Sequence, residues 1–94
     1  SVAARPWQGR VVQADGLEAV VNAGSDDGVH EGDEFVVHRV LEKLTDPETG
    51  VALGERKQTL GKLKVSRVEA RVAFATWTPS AVAELSRGDL VTSL

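Results

Sequence analysis

Six runs rich in β-branched residues, most of them bounded by turn-forming residues, constrain this 94-residue chain to a sheet. They are Gly9–Asp15, Glu18–Ala23, Asp33–Leu44, Leu60–Glu69, Arg71–Trp77 and Asp89–Ser93. Asp15-Gly16 joins the first two as a two-residue hairpin turn, because glycine accepts positive φ without a Cβ penalty. In the fourth run Leu63 and Val65 alternate with Lys62, Lys64 and Ser66, and Val68 then falls out of phase. A one-residue slip of that kind predicts a bulge near Ser66-Arg67, which helps a sheet to curl. The one helical pattern, Ser80–Leu85 after Thr78-Pro79, is barely more than a turn and reads as a short helical connector. Short strands without a long amphipathic helix give an all-β antiparallel fold. At this length, where folding buries only about 60 to 70% of the chain's surface, the expected architecture is a single domain over residues 1–94. Its expected form is a small curled barrel of about six strands. The strings GVHEGDEF and ELSRGDLV both place Gly-Asp before an alternating apolar strand, so Gly32-Asp33 and Gly88-Asp89 are expected to start strands in equivalent ways.

Charge and composition narrow the function classes. Apolar residues make up 41% and charged residues 27% of the chain, the balance of a folded globular domain and not of a disordered one. A net charge of −3 gives no basic footprint for duplex nucleic acid, which makes nucleic acid an unlikely partner. Without cysteine there is no disulfide, thiolate metal site or thiol nucleophile. No apolar run reaches the roughly 20 residues that cross a bilayer as a helix, and the start SVAARPW carries no signal-peptide pattern. A start without methionine, directly entering a Pro-Trp pair, predicts a fragment of a longer protein.

Four groups of residues carry possible chemistry. Ala23–Phe35 concentrates acids and glycines, but adjacent Asp26 and Asp27 break the alternating ligand spacing of an EF-hand, and no long helices flank them. The segment reads as a connection in which Gly24, Gly28 and Gly32 take special backbone angles, Asp26, Asp27 and Glu31 face water, and Asp33 leads into a strand. Asp46-Pro47-Glu48-Thr49-Gly50 reads as a turn, with Pro47 presetting φ and Gly50 supplying a left-handed position. His30 and His38 lack a third ligand or an adjacent nucleophile at motif spacing, and no nucleotide, hydrolase or metalloprotease motif is present. These observations predict no catalytic residue, no cofactor and no metal. Lys57, Lys62, Lys64, Arg67 and Arg71 form a basic stretch with Phe74 and Trp77 nearby. Alternating lysines are the usual outer face of an antiparallel strand. Of these cations, Lys62, Lys64, Arg67 and Arg71 are the residues expected to meet an acidic protein partner. The alternative is an OB-like binder of single-stranded nucleic acid or another anionic polymer, with Phe74 and Trp77 as stacking platforms.

Taken together, RPWQGRVVQADGLEAVVNAGSDDGVHEGDEFVVHR, DPETGVALG, LGKLKVSRVEARVAFA and a late RGDLV resemble the C-terminal domain of the flagellar assembly protein T family. Related domains accompany envelope proteins of the curli-secretion lipoprotein type. The matching positions are Asn22, Gly24, Ser25, Gly28, Gly32, Asp33, Asp46, Pro47, Gly50 and Gly88-Asp89. The resemblance implies a small SH3-like β-barrel, a periplasmic or cell-envelope location and a structural or assembly role without catalysis. A protein partner is expected, with contact along an exposed strand edge and with the basic stretch and the Val40–Val51 hairpin as the candidate surfaces.

Overall fold

A computed structural model describes residues 8–80 and 84–93. Six antiparallel strands appear among them: β1 (Gln8–Asp15), β2 (Glu18–Val21), β3 (Glu34–Thr45), β4 (Ala52–Val68), β5 (Ala73–Pro79) and β6 (Leu90–Ser93). They close into a barrel in the order β1-β2-β5-β4-β3-β6. The all-β barrel expected from the sequence is therefore the fold. Ser80–Leu85, read above as a helical connector, includes residues 81–83, which lie outside the described residues; Trp7, which opens the family resemblance, lies outside them too.

Alternation explains the core. Val11, Ala19, Val21, Phe35, Val37, Leu63, Val65, Ala73, Ala75, Trp77 and Val91 are buried, and apart from Leu90, which is buried too, their immediate neighbours along the strands are half-buried or exposed. The Asp15-Gly16 hairpin forms as expected, with Asp15 opposite Glu18 and Gly16 at φ 61°. The bulge also falls where the phase slip places it. Val65 pairs with Ala75 and Arg67 with Phe74, so Ser66 is the extra residue, and its hydroxyl donates to the Phe74 carbonyl.

The barrel is built twice from one pattern. The pairs Val11–Val21, Gln13–Val20 and Ala14–Ala19 of the first hairpin recur at a constant offset as Val65–Ala75, Arg67–Phe74 and Val68–Ala73 of the second. The β1–β6 pairs Gly9–Val91 and Arg10–Leu90 recur as the β4–β3 pairs Leu63–Phe35 and Lys64–Glu34. Val20 faces its own counterpart Phe74, and Val36 faces its counterpart Thr92, so a pseudo-twofold axis passes between them. Each half is thus a hairpin, a connection and a third strand.

The two Gly-Asp strings supply matching corners. Gly32 and Gly88 sit at φ 90° and 92°, the third position of a turn that only glycine enters cheaply. Asp33 N–H donates to the His30 carbonyl and Asp89 N–H to the Ser86 carbonyl, both at 3.1 Å. The Asp33 and Asp89 carboxylates return the bond, accepting from the N–H of His30 and Ser86 at 2.8 Å. Each corner is then pinned to a residue beside a bulge. Gly32 N–H donates to Val65 and Gly88 N–H to Val11, and both valines donate back to the aspartate carbonyls.

One element exceeds what closure needs. β3 pairs with β6 only as far as His38, and β4 pairs with β5 only from Gly61. Beyond those points β3 and β4 continue as a two-stranded ribbon, Arg39–Thr45 against Ala52–Gln58, which helps to stretch the molecule to 46 Å along its longest axis. The sequence reading begins the fourth strand at Leu60; the strand in fact begins at Ala52.

Candidate functional site

The glycine and aspartate positions singled out above divide between turn geometry and packing. Gly28 (φ 86°), Gly32 and Gly50 (φ 75°) occupy left-handed positions. Gly24 does not; it is extended and buried, and an added Cβ would overlap the Glu69 carbonyl and the Ala70 backbone. Ser25 and Asp26 N–H donate to those two carbonyls, tying the connection to the β4–β5 turn. Asp27 is a correction to the reading of Asp26, Asp27 and Glu31 as water-facing. It closes a single 3-10 turn, Ser25–Asp27, and its carboxylate accepts from the Gly24 N–H at 3.1 Å. Asp46 holds the ribbon's end, its carboxylate accepting from Glu48 N–H and its carbonyl from Gly50 N–H, both at 2.8 Å, with Pro47 exposed between. Among the described residues no three His, Asp or Glu side chains gather as a metal site requires.

His38 sits at the root of the ribbon. Its ring nitrogens contact the hydroxyls of Thr92 at 3.2 Å and Thr59 at 3.3 Å, not a carboxylate that could orient it for catalysis. Burial, and secondarily the charge of Lys57, lower its pKa below the usual histidine value. Beside it, Arg39 clamps Asp89 bidentately at 3.0 and 2.9 Å and donates to the Glu84 carbonyl at 2.8 Å. Asp89 is 6% exposed, and it is the one buried charged or polar residue among the described core positions. The same contact holds Arg39 charged, its pKa raised chiefly by that hydrogen bond.

The basic stretch does not form one continuous stripe. Lys62 and Lys64 project from the exposed face of β4. Arg67 lies past the bulge, where it pairs with Glu69 at 3.2 Å and covers the Phe74 ring at 3.9 Å. Arg71 stands in the β4–β5 turn. Trp77 is buried in the core at 5% exposure. Of the two aromatics considered as stacking platforms, one is thus inside the barrel and the other beneath a guanidinium.

The Val40–Val51 hairpin, expected as a partner surface, holds exposed apolar residues, and Leu53 just beyond it extends the same surface. Leu41, Leu44, Val51 and Leu53 are exposed on the ribbon or its turn, Leu53 to 67%. Their signal was present as leucine and valine inside polar strings, but periodicity cannot show that a strand leaves the barrel. The pseudo-twofold axis offers a second guide, because Lys62 corresponds to Gln8 and Arg67 to Gln13. The barrel therefore does not require a cation at either position.

A family model described as the C-terminal domain of flagellar assembly protein T matches residues 16–93. No curated protein matches the chain.

Proposed function

Because the chain belongs to the family of the flagellar assembly protein T C-terminal domain, we propose that it is a non-catalytic, protein-binding module. It takes the form of a small SH3-like barrel acting on the periplasmic side of the envelope during flagellar assembly. The matched family favours the flagellar setting over the curli-related one. The observation that carries the reading is the ribbon. A closed barrel has no free edge among its core strands, whereas a two-stranded extension exposes leucines and unpaired edges that add nothing to the core. Among the described residues, four of the six exposed large apolar side chains lie on it or at its turn, a concentration expected where a partner covers it. Partner contact is therefore placed at the ribbon, and the barrel serves to hold it.

The test is to replace Leu41, Leu44, Val51 and Leu53 by serine in the chain as the cell makes it, and to count assembled flagella. The expected outcome is a normally abundant protein with assembly lost. Normal assembly at normal protein level would contradict the reading.

A further inference from the structure

The two faces of the β3–β4 ribbon differ in how their charges are met. On one face Arg39 is clamped by Asp89 and Arg56 pairs with Glu42 at 3.5 Å, so each guanidinium meets a carboxylate. On the other face Val36, His38 and Val40 alternate along β3, and directly opposite them on β4 stand Lys62, Thr59 and Lys57. Lys64, one step beyond, has Glu34 opposite, and Lys43 has Glu55. Lys57 and Lys62 have only valines opposite on β3, and among the described residues neither makes an ion pair. Two uncompensated ammonium groups thus flank a floor of half-buried Val36 and Val40, with His38 between them. The barrel's own symmetry shows that architecture does not call for the cation at position 62, since its counterpart is Gln8.

Resting on the protein-binding reading above, we propose that this face is a docking surface for an acidic, extended polypeptide segment of the partner, with carboxylates four residues apart meeting Lys57 and Lys62. The spacing follows from the pairing. Val36 and Val40 are four residues apart on a regular strand, about 13 Å at the strand rise of roughly 3.3 Å per residue. Side chains at i and i+4 of an extended segment lie on one side at that distance, with the i+2 side chain falling over His38. Charge complementarity selects an acidic occupant and steers its approach. The withdrawal of Trp77 and Phe74 disfavours nucleic acid, whose single-stranded binders need exposed aromatic platforms.

The experiment titrates the isotopically labelled full chain with decaglutamate and, separately, with oligothymidylate of equal charge, following backbone amide signals. Decaglutamate is expected to shift the signals of residues 36–40 and 57–62. Lys57→Gln with Lys62→Gln is expected to weaken binding at least tenfold, and Lys64→Gln with Arg67→Gln less than twofold. Both pairs are exposed and leave the fold intact, which a melting curve checks. Scattered or absent shifts, an equal loss in the Lys64/Arg67 variant, or equal affinity for oligothymidylate would each overturn the proposal. The flagellar count with the serine-substituted ribbon separates the two levels. If decaglutamate fails but assembly still depends on the ribbon, the docking face is wrong and the protein-binding reading stands; if both fail, both fall.

Discussion

Asp33 and Asp89 form a matched pair at the scale of single residues. They occupy equivalent corners and cap equivalent N–H groups, but only Asp89 also receives Arg39, so the difference between them isolates the ion pair. Losing the corner bond alone costs about 1 kcal/mol, whereas also losing the bidentate pair between buried Asp89 and the partly exposed Arg39 raises the loss to about 3 kcal/mol. Asp89→Ala is therefore expected to lower the melting temperature by well over twice as much as Asp33→Ala. Equal shifts in thermal denaturation would show that the Arg39 clamp contributes nothing. His38 adds a pH dependence. Its folded pKa lies below the unfolded value of 6.5, so on acidification the unfolded chain takes up the proton first. Stability from this group is full above pH 6.5 and falls as pH drops through that value toward the folded pKa. Chemical denaturation at pH 7 and pH 5.5 should show that loss in the parent, and a shallower one in His38→Gln.

At the scale of elements, the ribbon is the exception to the rule that built the rest. A strand with one face in the core advertises itself by alternation, which is why β1, β3, β5 and the second half of β4 are legible in the residues. Ala52–Thr59 has water on both faces, so it has no alternation to display and reads as loop. The basic residues suffer from the same gap. Sequence proximity groups Lys57, Lys62, Lys64, Arg67 and Arg71, but the Ser66 bulge and the turn separate the last two, while cross-strand register shows that Lys57 and Lys62 share a face over the valines of β3. A two-stranded ribbon is marginal in water by itself. Amide exchange is therefore expected to be orders of magnitude faster in residues 40–45 and 52–59 than at Val37, Leu63 or Ala75, because only fraying separates the ribbon from solvent. Equal protection would mean that the ribbon is already covered in the isolated chain.

For the whole molecule, the decisive arrangement is a duplicated barrel from which one strand pair extends past closure. The Gly-Asp echo was visible in the residues, yet the symmetry it marks was not, since β1–β6 and β2–β5 pairings join positions far apart in sequence. Once the offset between the halves is known, symmetry separates what closure demands from what it does not. Paired corners and inward apolar residues recur in both halves; the cation at position 62 does not, its counterpart being Gln8, and the ribbon runs past the last pairs that close the barrel. The proposed partner contact lies on that remainder. The most direct test places a photocrosslinking amino acid at Leu53 on the ribbon, and in a second strain at Leu17, equally exposed at 65% but in the β1–β2 turn. Irradiation of cells building flagella is expected to give one discrete adduct with a flagellar envelope protein from position 53 and none from position 17. No adduct from position 53, or the same adduct from both, would contradict the claim that the ribbon is where this domain meets its partner.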